Sequence, residues 1–429
     1  MDTADIASRF GTYIQRLADA IAHKDRVEPL VAYLSGLTLP GERKSVEPIA
    51  ARIDPFRTSA RHQSLLHFLG QAPWDDQEVL RVARNYAFEQ MLMHSPLRHL
   101  VIDDTGFPKK GRNSVGVANQ YCGILGKNAN SQVTVSISAA NDIGSIPVAY
   151  RLYLPEKWAN DKERRAAAKV PSDVEFAPKW KLALQLVEQV LGDGLPKVPI
   201  LADAGFGDVT DFRSGLTDLG LPYSVGVSHT TSVWPPGMAP LPPVPWSGRG
   251  RQPKNLRRSE EHKPVTAKEL ANSLPQDAWQ LITWRQGTAG PMVSRFARLR
   301  LRPAHRDMTR TEPWPEQYLL IEWPESEPEP TKYWLSTEEL PLTEHVASAK
   351  GRWRVERDYQ ELKTEFGLDK YQGRGWRGFH HHWTLCIAAY AFTVAERARL
   401  SPPEAGPVYR VQIPPLPEGY RPRGAPTSV

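Results

Sequence analysis

Two short apolar runs, HLVIDDT at His99–Thr105 and VPILADAGFGD at Val198–Asp208, each break off on an aspartate. A short apolar run bounded by turn residues reads as a buried strand, and here each strand would deliver a carboxylate at its C-terminal end. Two further strand-like stretches, SQVTVSISAA and SIPVAYRLYL, lie between them, separated by NDIG. Phe176–Leu191 reads as a helix, with Trp180, Leu182, Leu184, Leu186, Val187 and Val190 on its apolar side. A second helix near Asp211–Leu219 and a strand at PYSVGVS follow. Strands in a meander, then strands alternating with helices, predict an α/β layer architecture. Such sheets present their sites at strand C-termini. Asp103, with Asp104 as the alternative beside it, and Asp203 are therefore candidate site residues. For each aspartate alone, a strand-end cap or turn is the plainer role.

The stretch GRWRVERDYQELK, Gly351–Lys363, reads as a helix that sets Arg352, Glu356, Tyr359 and Lys363 on neighbouring turns of one face. Val355, Leu362 and Phe366 form a flanking apolar stripe. A carboxylate bracketed by arginine and lysine suits a phosphate-handling site: the carboxylate holds a divalent metal and the cations hold the backbone. A surface helix with weak i,i+4 ion pairs is the plainer alternative. Three carboxylates from separate elements, Asp103, Asp203 and Glu356, make the kind of oxygen donor set that magnesium or manganese prefers.

The 429 residues exceed what one ordinary core holds. We read five segments: helical residues 1–95, a first core part at 96–228, a β-rich insertion at 229–345, C-terminal core helices at 346–400, and a disordered proline-rich tail at 401–429. The helical segment, with Arg43, Lys44, Arg52, Arg57, Arg61 and His62, fits a helix-turn-helix-like DNA reader and a plain bundle packed on the core equally well. Asp161–Val170 is polar and reads as a loop. A net charge of +6 leans mildly toward a polyanionic partner. The two cysteines are too far apart in sequence and context to form a disulfide framework, which fits a reducing cytosol. No apolar run approaches the ~20 residues that span a bilayer, so no membrane is expected.

Several residues carry two readings. Lys109, Lys110 and Arg112 follow the first aspartates as a DNA-contacting or merely solvated turn. His380, His381 and His382 point different ways from one helix and cannot share a metal ion; they read as a helix start with one buried ring. Trp353, Trp376 and Trp383 fit the core better than a base-stacking role.

LVIDDTGFPKKGRNSVGVANQYCGILGKNANSQVTVS, RLYLPEKWANDKERR, ILADAGFGD and RWRVERDYQELKTEFGLDKYQGR together resemble the DDE transposases of bacterial insertion sequences, in the DDE superfamily endonuclease branch. The resemblance runs from about Leu39 to Arg399. Arg352, Glu356 and Lys363 match the last three residues of the Y-R-E-K signature of related cut-and-paste elements, whereas Ala349 stands where the tyrosine is expected. The resemblance implies an RNase H-like core interrupted by the β-rich insertion between the second and third acids. It implies that Asp103, Asp203 and Glu356 coordinate two Mg²⁺ ions, with Mn²⁺ as a substitute, and that Arg352 and Lys363 contact DNA. The expected partners are transposon ends, target DNA and a second copy of the chain in a synaptic complex. The expected location is the bacterial cytoplasm, on the nucleoid when DNA is bound. A catalytically silent DNA-binding regulator and a nuclease without strand transfer are the alternatives.

Overall fold

The computed structural model describes residues 3–41, 43–287, 290–400 and 410–411. The fold is mixed α/β, in two compact units: Met1–Gly226 with Gly351–Gly406, and Val227–Lys350 with Pro407–Val429.

The first unit opens with five helices, α1 (Thr3–Ile21), α2 (Val27–Thr38), α3 (Val46–Ile53), α4 (Thr58–Gly70) and α5 (Asp76–Met91). The start of α5 follows from PWDD. The Asp75 side chain accepts hydrogen bonds from the Gln77 and Glu78 amides at 2.9 and 3.2 Å, and acidic residues fill the first turn. Next come β1 (His99–Pro108), β2 (Ala118–Cys122), β3 (Lys127–Ala140) and β4 (Ser145–Leu152). Two short helices, α6 (Glu156–Ala159) and α7 (Lys162–Ala168), lead to α8 (Lys179–Gly192), β5 (Ile200–Ala202), α9 (Ala204–Gly207), α10 (Thr210–Asp218) and β6 (Tyr223–Val227). Helix α7 replaces the loop expected over Asp161–Val170. Asp161 caps it by accepting from the Arg164 amide at 2.9 Å.

Strand β1 runs antiparallel to β3 along its whole length, from His99↔Ala140 to Pro108↔Ser131, and parallel to β5 on its other side. β6 continues the sheet parallel to β5. The long β3 pairs with β2 over its first half and β4 over its second, both antiparallel. The order is thus β6-β5-β1-β3-β4, with β2 beside the start of β3.

The second unit is an antiparallel sheet. It holds β7 (Ser232–Trp234), β8 (Val265–Thr266), α11 (Ala267–Asn272), β9 (Gln280–Gly287), β10 (Gly290–Pro303), β11 (Gln317–Pro324), β12 (Lys332–Ser336) and α12 (Leu342–Gly351). Strands β9 to β12 pair in sequence order. One cluster packs Val233, Leu270, Leu301, Leu319 and Leu335, and another packs Ile282, Phe296, Leu320 and Val346.

The first unit resumes with α13 (Trp353–Thr364) and α14 (Trp376–Leu400). Helix α14 is buried all round from Gly378 to Phe392 because it is covered on both sides. Tyr13 and Tyr33 from the N-terminal helices bond to Ala388 O and the His382 ring, each at 2.8 Å, and Tyr150 of β4 reaches His380 O. The N-terminal helices, sheet, α13 and α14 therefore share one hydrophobic core. Most of the tail expected to be disordered lies outside the described residues. Arg410–Val411, however, form a last strand, β13, antiparallel to β9.

Candidate active site

Asp103 lies midway along β1, opposite Ser136, and Asp104 is opposite Val135. Neighbours on a strand point to opposite faces, and the two carboxylates have different partners. Asp104 binds the Lys179 amine of α8 at 2.6 Å. Asp103 meets the Arg352 guanidinium at 3.4 Å. Asp203 follows the last residue of β5 directly, and its carbonyl accepts the Gly207 amide at 2.8 Å as α9 begins. Glycine is required in this turn. A Cβ on Gly207 would collide with the Gly226 carbonyl oxygen, so ADAGFGD can lie against β6 only without side chains there.

Glu356 occupies the first turn of α13, and its Oε1 accepts from the other Arg352 nitrogen at 2.5 Å. One guanidinium thus joins a carboxylate on the sheet to one on the helix. Burial pushes the Asp103 carboxyl up to about 7; Arg352 opposes the shift, and Asp203 and Asp104 add to it. Burial also pushes Asp203 up, again against Arg352. Its Oδ1 is buried with no hydrogen-bond partner. Glu356 is half exposed. Asp103, Asp203, Glu356 and Arg352 therefore form one electrostatic group, although among the described residues no three carboxylate, histidine or cysteine side chains are drawn close enough to hold a metal ion. Arg352 holds that space between Asp103 and Glu356.

Lys363 lies two turns along α13, half buried, its amine 5.3 Å from the centre of the Phe107 ring. Burial lowers its affinity for a proton, and Asp369 and Asp103 resist that.

A family model described as DDE superfamily endonuclease matches residues 16–291. The chain belongs to this family. The match contains both aspartate-bearing strands of the chain and ends before α13. A relative from Microchaete diplosiphon, described as a probable transposase for insertion sequence element IS701, is 32% identical over 176 residues. That stretch is 40% of this chain and 43% of the relative, so less than half of either is compared.

Other residues are placed differently from the sequence reading. All three rings of His380, His381 and His382 are buried, where one was expected. Helix α14 begins at Trp376, before the triplet, so each ring faces packed protein. His381 Nε2 bonds to Trp74 O at 3.0 Å and His382 Nε2 to Gly367 O at 3.1 Å, and burial pulls both rings down to about 4. Lys109 is a clamp: its amine donates to Tyr371 O at 2.9 Å. Trp383 is fully buried, while Trp353 is partly exposed.

Asp358 escaped the sequence reading. It sits two residues from Glu356, hence on the opposite side of α13. Buried, it accepts hydrogen bonds from Ser145 Oγ and, at 2.8 Å, from Tyr390 Oη, so it ties the helix carrying Glu356 to β4 and α14. Burial pushes it up to about 6. No local pattern separates this acid from an exposed one. Among the described residues no helix is long and apolar enough to cross a membrane.

Proposed function

We propose that the chain is a transposase that binds the terminal inverted repeats of a bacterial insertion sequence, cuts DNA there and joins the freed 3′ end to a target. The observation that carries this reading is the pair Asp103 and Asp203 on adjacent parallel strands, linked electrostatically to Glu356 through Arg352. An antiparallel meander followed by two parallel strands supports an RNase H-like core. The compact Val227–Lys350 unit supports an insertion between the second and third acids.

Asp103, Asp203 and Glu356 would hold two Mg²⁺ ions, with Mn²⁺ as a substitute. Asp104, tied to Lys179, is the alternative first ligand. The donor set is carboxylate oxygen throughout, which hard divalent cations prefer. The partnerless Asp203 Oδ1 is a buried acceptor that a cation would satisfy. Such ions supply Lewis-acid activation of a water or 3′-hydroxyl and stabilise the leaving oxygen in phosphodiester chemistry. For the three carboxylates to close around a cation, Arg352 must release Asp103 and Glu356. A DNA phosphate is the anion suited to receive its bidentate guanidinium. Lys363 supplies a second phosphate contact, and the Asp358 bonds fix the helix that carries Glu356, Arg352 and Lys363. Paired transposon ends require a second copy of the chain, and the reaction belongs to the bacterial cytoplasm, at the nucleoid.

The test is incubation of the purified chain with intact and pre-cut terminal-repeat DNA, with Mg²⁺ or EDTA, analysed on denaturing gels. Cleaved and joined products from the native chain, lost in Asp103→Asn and Glu356→Gln while DNA retardation persists, are expected. Cleavage without joining would make the protein a nuclease. Retardation alone would make it a regulator.

A further inference from the structure

Beyond Asp103, β1 continues to Pro108 and turns into a second charged feature. An open groove of about 530 Å³ is lined by Lys110, Arg112, Val117, Asn119, Asn130 and Arg164. Three cations and no carboxylate face it. Among the described residues, none of the three cations has a carboxylate within ion-pair distance. Its frame is built from buried or bonded parts. Asn119 and Asn130 are cross-strand partners on β2 and β3, and the Asn130 amide donates to Lys109 O and Gly111 O at 2.6 and 2.9 Å, fixing the turn. The Arg164 guanidinium lies 3.8 Å from the centre of the Trp158 ring and donates to Arg112 O at 3.0 Å. Trp158 is buried and donates to Val117 O at 2.7 Å.

Three like charges held together without a counter-charge repel one another, and a polyanion relieves that repulsion. The groove is open and its charges spread out, so it suits a chain of phosphates better than a single enclosed anion. From Asp103 to Pro108, the residue before Lys109, whose carbonyl accepts from Asn130 at the near edge of the groove, the strand covers five steps, about 17 Å at ~3.3 Å per residue. That equals about five base pairs at ~3.4 Å each. We propose that this groove holds the sugar–phosphate backbone of the DNA about five base pairs from the phosphate being cut. The register rests on the reading of Asp103 as part of the cutting site; the groove's affinity for DNA does not.

Two measurements separate these. In EDTA, anisotropy of a fluorescein-labelled random-sequence duplex gives affinity against salt for the full chain. Neutralising two phosphates releases about 0.9 counterion each. Lys110→Gln with Arg112→Gln is therefore expected to reduce the slope of log K against log salt by about 1.8, and to weaken binding roughly a hundredfold at low salt. Both residues are exposed, and circular dichroism melting checks that the fold is kept. Arg164→Lys keeps a charge but loses the fork and is expected to give a smaller loss. An unchanged slope in the double variant, with the native chain binding normally, overturns the groove. With Mg²⁺ and terminal-repeat DNA, ethylation of the phosphate about five base pairs from the cut is expected to impair the native chain and leave the double variant unaffected. Interference at a different phosphate overturns the register. Failure of the native chain to cut at all overturns the reading of the Asp103 centre, while the anisotropy result still decides the groove.

Discussion

Arg352 donates to Asp103 and Glu356 at once, so a metal held as proposed would compete with it for the same oxygens. Arg352→Gln is expected to bind Mn²⁺ about tenfold more tightly without DNA at about pH 9, above the Asp103 value of about 7; calorimetric titration measures it. The same variant is expected to bind DNA more weakly, so metal and DNA affinities should move in opposite directions. Asp103 itself gives a pH signature in the metal-free chain. Its folded pKa of about 7 lies above the ordinary 3.8, so between these values the unfolded chain gives up a proton that the folded chain keeps. The contribution of Asp103 to stability therefore falls as pH rises through that window and levels off above 7. Asp103→Asn is expected to gain up to about 4 kcal/mol over the native chain above pH 7 and nothing near pH 4, by urea unfolding in EDTA. At this scale much was legible. Asp203 stood out because a strand end in a glycine turn is a local signal, and Glu356 because a helical face can be drawn from spacing. Asp103 stood out by its apolar run, but the strand end expected there was wrong, because β1 continues past it, paired with β3, to Pro108. The burial of Asp358 and the Lys109 clamp were not legible, because their partners Tyr390 and Tyr371 lie in distant parts of the sequence.

At the scale of elements, the turn after β5 is the tightest constraint on the site. Gly207→Ala drives a methyl group into the Gly226 carbonyl, and is expected to cost about 3 kcal/mol or more in denaturant unfolding and to displace Asp203. Helix α14 carries the opposite dependence. His381 and His382 are neutral when folded, with pKa values of about 4 against 6.5 unfolded. Below pH 6.5 the unfolded chain takes up protons at these rings that the folded chain refuses, so their contribution to stability falls toward pH 4 while those of Asp103 and Asp358 rise. His382→Gln removes one such ring, so the melting temperature of the variant relative to the native chain is expected to rise as pH falls from 6.5 to 4. Helix starts such as Asp75 and the apolar strands β1, β3, β4, β5 and β6 were readable because caps and apolar runs are encoded locally, whereas the short β2 carries no such run. The start of α14 at Trp376 was not: a histidine triplet looks polar until Trp74, Tyr33 and Gly367 are seen to bury its rings.

At the scale of the molecule, the helical N-terminus and the sheet depend on the same helix. Removing residues 1–38 uncovers α14 where Tyr13, Leu17, Tyr33 and Leu34 lie buried in the shared core. Each such side chain is worth roughly 1.5–3 kcal/mol, and together they rival the whole stability of a domain, about 5–15 kcal/mol. The truncated chain is expected to collect in the insoluble fraction, as gel analysis of soluble and pellet material would show. The placement of α14 also governs synthesis. At about 5–20 residues per second, the ribosome finishes β4 and then needs roughly ten to forty-five seconds to reach the end of the stretch that separates it from α14. Throughout that interval the nascent first unit has both halves of its core and nothing to join them, so its apolar faces need shelter from a chaperone or the ribosome surface until the last helix emerges.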